Sequence, residues 1–301
     1  MEAGKPGWDD ALNGLPGLFG SSLAETYALV RLLAFVRESI AGEEDRPIDL
    51  PVEVYDLLQA VNAALNAYHR ADASERDHIY WDTVATARET YRARIRLGFD
   101  GATRAIPLAE LDRHLQAFAA KCRDGIARAE DMNNGLPPTF FTYEPVEWEV
   151  SASGIRVKRF EPNLLPLFLE GVVRALAIQP DAAAARQLHT RVRSSALFDG
   201  RLKMYKVNAS LDDQPLAIGR ARAFTPGWLE NESIWLHMEY KYLLALLKAG
   251  LYDEFYADFQ QVLVPFQDPA VYGRSTLENS SFIVSSAHPD PALQGRGFVA
   301  R

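Results

Sequence analysis

The feature that most constrains this chain is an apolar repeat of three to four residues, which returns in nearly every long segment and predicts helices rather than strands. Over residues 22–40, Leu29, Leu32, Leu33 and Val36 fall at i, i+3, i+4 and i+7. Ser22-Leu-Ala-Glu25 reads as a capping box in front of them, and Gly42 closes the segment. Pro51 sits at a first-turn position before Val54, Leu57, Leu58, Val61 and Leu65. A third helix is predicted over 74–98, with Ile79, Val84 and Tyr91 inside. A fourth opens at Pro107 and carries Leu108, Leu111, Leu115 and Phe118. Later helices are expected over 164–178, 181–193, 233–249 and 253–263. One region breaks the period. Residues 140–160 are rich in aromatic and β-branched side chains, and Glu147-Trp-Glu-Val150 and Ile155-Arg-Val-Lys158 flank Ser-Ala-Ser-Gly, the pattern of a short hairpin. Residues 202–229 read as irregular, and those from Pro265 onward as mostly loop or short strand.

About eight helices of similar length suggest antiparallel pairs, arranged as a bundle or as a closed ring of helix hairpins. Long loops marked by Gly, Pro and aromatic residues favour the ring, and such loops are where a binding surface usually sits. With 48% apolar and 24% charged residues, the 301-residue chain can build a large core. Its formal net charge of −8 and pI near 5.4 give no basic face for a nucleic acid. The start, MEAGKPGWDD, has no basic-then-apolar leader, and no apolar run approaches the roughly 18 residues of a membrane span. A cytoplasmic protein with neither nucleic-acid nor membrane partners is expected, and a homodimer is left open. Cys122, the single cysteine, lies in a helical pattern and reads as a small buried apolar residue.

Three segments have the composition of a site. Gly7-Trp8-Asp9-Asp10-Ala11-Leu12-Asn13 places two carboxyls beside an indole. The apolar face of a pyranose stacks on such a ring while carboxyls bond its hydroxyls, and a carboxyl near apolar or like-charged groups can hold a proton. The same residues also read as an acidic turn with a helix cap. In Pro226-Gly-Trp228-Leu-Glu230-Asn231-Glu232-Ser233-Ile-Trp235-Leu-His237 a loop feeds a helix, whose start favours anions; its residues serve equally as caps, with His237 packed. The third runs from Tyr272-Gly-Arg274 through Leu-Glu278-Asn279 to His288 and Gly295-Arg296-Gly297, with two arginines available to an anion. His69, His78, His114 and His189 form no pair with metal spacing. HExxH, CxxC, P-loop and GxGxxG patterns are lacking, so no metal is expected.

In this order, the three segments resemble inverting disaccharide phosphorylases of the cellobiose phosphorylase type, glycoside hydrolase family 94. That family carries Asp-Trp-Asn-Asp-Gly-Met/Leu-Asn in a catalytic loop, then Arg-Glu-Asn-Gly with a His a few residues on, and a later Gly-Arg-Gly turn. The resemblance implies an all-α (α/α)6 toroid of the six-hairpin glycosidase type, with the hairpin as an insertion, and a single helical catalytic domain over 1–301. It implies Asp10 as the catalytic general acid. It makes Trp8, Asp9, Asn13, Glu230, Asn231 and Glu278 substrate-binding, and His237 and Arg296 phosphate-binding. The partners implied are a small carbohydrate and inorganic phosphate as co-substrate, with no cofactor. Phosphate attacking opposite the acid would release a sugar 1-phosphate with inversion, needing only one protein carboxyl. Asp9 stands where the family has Asn and Glu232 where it has Gly, which keeps an inverting glycoside hydrolase, with Glu230 or Glu232 as base, and a non-catalytic glycan-binding or scaffold protein as alternatives. The resemblance also implies a fragment: earlier helices and a β-sandwich would precede residue 7, and a phosphate-holding Gly/Ser/Thr stretch would follow Arg301.

Overall fold

The structure, a computed structural model, describes residues 7–43, 45–152 and 154–300. The start, MEAGKPGWDD, therefore lies mostly outside it, as does Ser153 of the hairpin turn. The described residues fall into two compact units, one made of 29–124 and 145–160, the other of 7–28, 125–144 and 161–300.

In the first unit the apolar stripe read from the sequence is the core. Leu33, Ile106, Leu108, Leu111, Leu115 and Ala119 are buried together, with Leu29, Val36, Ile40 and Leu58 packed against them. The Val52–Arg70 and Arg76–Arg94 helices follow one another as a hairpin. A two-stranded antiparallel sheet, Pro47–Pro51 with Thr103–Pro107, closes the layout through Pro47 opposite Pro107 and Ile48 opposite Ile106. Each of these strands starts a helix, and their five-residue length is too short for an alternating pattern to show. Cys122 is half-buried and its thiol is pushed up by burial, in keeping with an apolar packing role.

The second unit holds all three site segments. Two apolar clusters organise it. Ala11, Leu12, Phe140, Leu165, Phe168, Leu211, Ile218 and Ala221 form one. Met204, Ile234, Leu236, Leu243, Val262, Val264, Tyr272 and Ile283 form the other. The Ala182–Arg193 helix starts where the sequence places it, with the Asp181 carboxylate accepting from the Ala184 N–H at 2.8 Å. The hairpin is present and longer than expected, Phe140–Ser151 with Gly154–Leu164, and Ser21–Ser22 adds a third strand opposite Phe140 and Phe141.

The expectation of an all-α toroid is overturned. The chain is mixed, 49% helical and 17% strand, with two three-stranded sheets and two further strand pairs among the described residues. The second three-stranded sheet joins Ile234–Trp235, Phe282–Ile283 and Gly297–Phe298, the last two being short strands in the tail read as mostly loop or short strand. Two corrections follow for the helices. The 164–178 segment begins as strand and becomes helix only over Leu169–Leu176. The 233–249 helix begins at Leu236, because Ile234 and Trp235 pair with the neighbouring strand instead. Glu230 to Ser233 therefore do not surround a helix start, and the anion-binding role given to that start lapses. No described helix is long and apolar enough to cross a membrane.

Candidate functional site

Residues 7–14 form a tight loop laid across 216–221. The Leu12 N–H donates to the Asp9 carbonyl, the Ala221 N–H to the Ala11 carbonyl and the Gly14 N–H to the Ile218 carbonyl. Gly219 makes this approach feasible. Its φ is +125°, and a Cβ there would lie 2.5 Å from the Ala11 carbonyl oxygen. Asn13 is spent on the same junction, its side-chain oxygen accepting the Arg220 N–H at 3.2 Å. The loop then turns Ala11 and Leu12 into the core and leaves Trp8, Asp9 and Asp10 to face the second segment.

That second segment is a knot of turns. Leu229 and Glu232 both take positive φ, 50° and 57°. Asn231 is fully buried, its amide donating to the Phe224 carbonyl, so it fixes the loop from inside and does not reach a ligand. Asn208 clamps the loop from outside: it donates to the Glu230 carbonyl and accepts from the Glu232 N–H, both at 2.7 Å. Glu232 is paired with Lys206 at 2.7 Å, with little of either side chain in water. The charge of Glu232, which stands where the resembled family has Gly, is thus balanced by a cation.

The two segments meet, although they lie over two hundred residues apart. The Trp8 indole N–H donates to His237 Nδ1 at 3.1 Å, and the Ala11 N–H donates to Glu230 Oε2 at 2.7 Å. Trp8 packs edge-on against Trp235, ring centres 5.5 Å apart, and Trp235 continues through Phe282 to Trp228. Because Nδ1 accepts, a neutral His237 carries its proton on Nε2. Burial, with Lys241 one turn further along the helix, lowers its pKa and keeps it neutral.

The carboxyls form the electrostatic centre. Asp9 is buried, and neither of its oxygens has a hydrogen-bonding partner among the described residues. Burial holds its carboxyl far above the ordinary carboxylate range, with Glu230, Glu170 and Asp10 adding like charge. Glu230 is half-buried and also raised, by burial and by Asp10, while contacts from Asp9 and the Ala11 N–H pull it back. These contacts between acids become hydrogen bonds only when one partner is protonated. Glu170, in the first turn of Leu169–Leu176, accepts the Trp8 backbone N–H at 3.3 Å and is raised by its burial. Asp10, given the general-acid position by the resemblance, points outward and pairs with Arg220 at 3.0 Å.

The third segment is not joined to this cluster by any hydrogen bond, ion pair or ring contact between its named residues and residues 8–10. Glu278 is exposed and lies 3.6 Å from Arg274. Arg296 is exposed and donates to the Ala292 carbonyl. The third segment meets the second instead: Asn279 accepts from the Tyr240 hydroxyl one turn after His237, Phe282 packs on Trp235 and His288 lies against Trp228. Sequence reasoning missed Glu170, Asn208, Lys206 and Arg220. The last three stand inside the irregular stretch 202–229, with no spacing to mark them. Among the described residues no group of three or more His, Cys, Asp or Glu side chains could hold a metal ion. No family model matches the chain, and no curated protein does.

Proposed function

We propose that this chain carries the saccharide site of a cytoplasmic carbohydrate-active enzyme that cleaves a β-linked glucoside with inversion, inorganic phosphate taking the glycosyl group to give a sugar 1-phosphate. One observation carries the reading: the loop of Trp8 to Ala11 meets Glu230, Trp235 and His237 across more than two hundred residues of sequence, through the Trp8 indole and the Ala11 N–H. An indole edge for a sugar face, proton-holding carboxyls and a neutral imidazole N–H for an anion are what glycosyl transfer to phosphate requires. The charge balance of Glu232 with Lys206 removes one of the two bases a hydrolytic reaction would use. Trp8 and Trp235 form the sugar platform, and His237 with Lys241 receives the phosphate. Asn231, being enclosed, supports the loop instead of the sugar.

The test is incubation of the purified protein with cello- and laminari-oligosaccharides with and without phosphate. Sugar 1-phosphate formed only with phosphate is expected. Reducing sugar released equally without phosphate would replace phosphorolysis by hydrolysis. A second reading, glycan binding without turnover, draws on the Asp10–Arg220 ion pair, which occupies the group that the resemblance makes the acid. It predicts calorimetric binding of the same oligosaccharides, unchanged in Asp10→Asn, with no product.

A further inference from the structure

The partner of His237 decides what its ring can do. An indole N–H donates and never accepts. The imidazole nitrogen that faces it must therefore offer a lone pair, and that nitrogen is Nδ1, 3.1 Å from Trp8 Nε1. A carboxylate or carbonyl at Nδ1 would do the reverse. It would take the Nδ1 proton and leave Nε2 with the lone pair of a base or a metal ligand. Among the described residues no carboxylate or carbonyl bonds the His237 ring, and Nε2 has no hydrogen-bonding partner.

The orientation comes from the loop and not from the helix. His237 is exposed in the first turn of Leu236–Lys248, where the last torsion of an imidazole has two wells about a half-turn apart. Trp8 is held on three sides. Its backbone N–H donates to Glu170 at 3.3 Å, its ring stands edge-on to Trp235 with centres 5.5 Å apart, and the Ala11 N–H three residues on donates to Glu230 at 2.7 Å. Lys241 follows His237 by four residues, on the same face of the helix, and its ammonium has no acceptor among the described residues.

We infer that Trp8 is a positioning residue that holds His237 as a hydrogen-bond donor at Nε2, so that this histidine receives an anion beside Lys241 and does not serve as a base or a metal ligand there. The state of the ring is independent of the reaction proposed above; that the anion is inorganic phosphate rests on that reading. Trp8 then has two separate tasks. Its ring belongs to the sugar platform, and its N–H is spent on the imidazole and is not given to a sugar hydroxyl.

Two measurements on the full chain test this. The first is nitrogen NMR of labelled protein at pH 8 without phosphate, the His237 ring being identified by its loss in His237→Ala. A bare Nδ1 and a protonated Nε2 are expected, with a scalar coupling across the hydrogen bond between Trp8 Nε1 and His237 Nδ1. Trp8→Phe keeps an aromatic ring toward Trp235 and removes the donor, so it should abolish the coupling and let both tautomers appear. A wild-type ring protonated at Nδ1, or ring signals that are the same in wild type and Trp8→Phe, would overturn the inference. The second is a double-mutant cycle on the calorimetric binding of inorganic phosphate. Trp8→Phe is expected to weaken binding about two- to tenfold, the effect of misplacing one hydrogen bond. In the His237→Ala background the same substitution should change nothing, because Trp8 acts through the imidazole. An equal loss in both backgrounds would make Trp8 a direct contact and overturn the positioning role. A wild-type protein that binds no phosphate would sink the phosphate role given to His237 above, and the nitrogen spectra would still decide the state of the ring.

Discussion

Replacing Asp9 by Asn isolates the energetic consequence of a neutral acid locked inside the fold. In the unfolded chain an Asp releases its proton near pH 3.9. In the folded chain burial, then the neighbouring acids, keep the proton on Asp9 well above that. Between those limits the unfolded state binds one proton fewer, so stability falls as pH rises. The sign is that of a raised pKa: the contribution is fully present below the unfolded value and lost as pH climbs toward the folded one. One proton of difference corresponds to about 1.4 kcal/mol of stability per pH unit. Asn has nearly the same shape, keeps a donor toward Glu230 and does not titrate. The wild-type profile should therefore fall relative to Asp9→Asn by about 1.4 kcal/mol for each unit over which Asp9 keeps its proton.

Other buried acids do not disturb the comparison. Glu239 and Glu170 are also raised by burial, and both are present in both proteins. The assay is urea unfolding at pH 5, 5.5 and 6, followed by fluorescence, since Trp8, Trp228 and Trp235 report on the unit that contains Asp9. Stability profiles of the two proteins that run parallel over this range would mean that Asp9 ionises in the fold, and the reading of Asp9 as a neutral enclosed acid would fail with it.

Further outcomes follow from single contacts. Lys206→Met leaves the enclosed Glu232 without its cation and should cost about 3–5 kcal/mol, measured by urea unfolding, with much of it regained on adding Glu232→Gln. Gly219→Ala puts a Cβ against the Ala11 carbonyl at a positive φ, so a loss above about 1 kcal/mol is expected, together with weaker binding of oligosaccharide in calorimetry. Lys241→Met removes a like charge that depresses His237, so NMR titration should find the imidazole protonating at higher pH than in wild type.

The helices were legible because each carries its own evidence: an apolar stripe, a cap and a stop within one short window. Leu33 with Leu108, Leu111 and Leu115 is found as a core, although Leu32 of the same stripe is exposed, and the helix expected over 181–193 starts after Asp181, which caps it. Apart from the 140–160 hairpin, which its composition and turn mark, the strands were not, for a physical reason. Six of them are two residues long, too short to alternate. The ribbon over Phe140–Leu164 is exposed along most of both strands, so no buried face imposes a period on its sequence. Their partners are set by distant residues, as when Phe282 claims Trp235 from the start of a predicted helix. A toroid inferred from helices alone could only omit them.

At the site, residue type was legible and residue role was not. An indole next to two acids announces chemistry whatever surrounds it, and Trp8 does meet His237. Which acid holds a proton depends on what lies within a few ångströms, and sequence adjacency carries no such information: Asp9 and Asp10 are neighbours in the chain, yet one is enclosed and the other is paired with Arg220 in water. The same holds for the loop of 229–233, where Asn231 turns inward and Glu232 finds Lys206. A motif therefore fixes which functional groups arrive together, and the packing around them decides which one is acid, which is ballast and which is counter-ion.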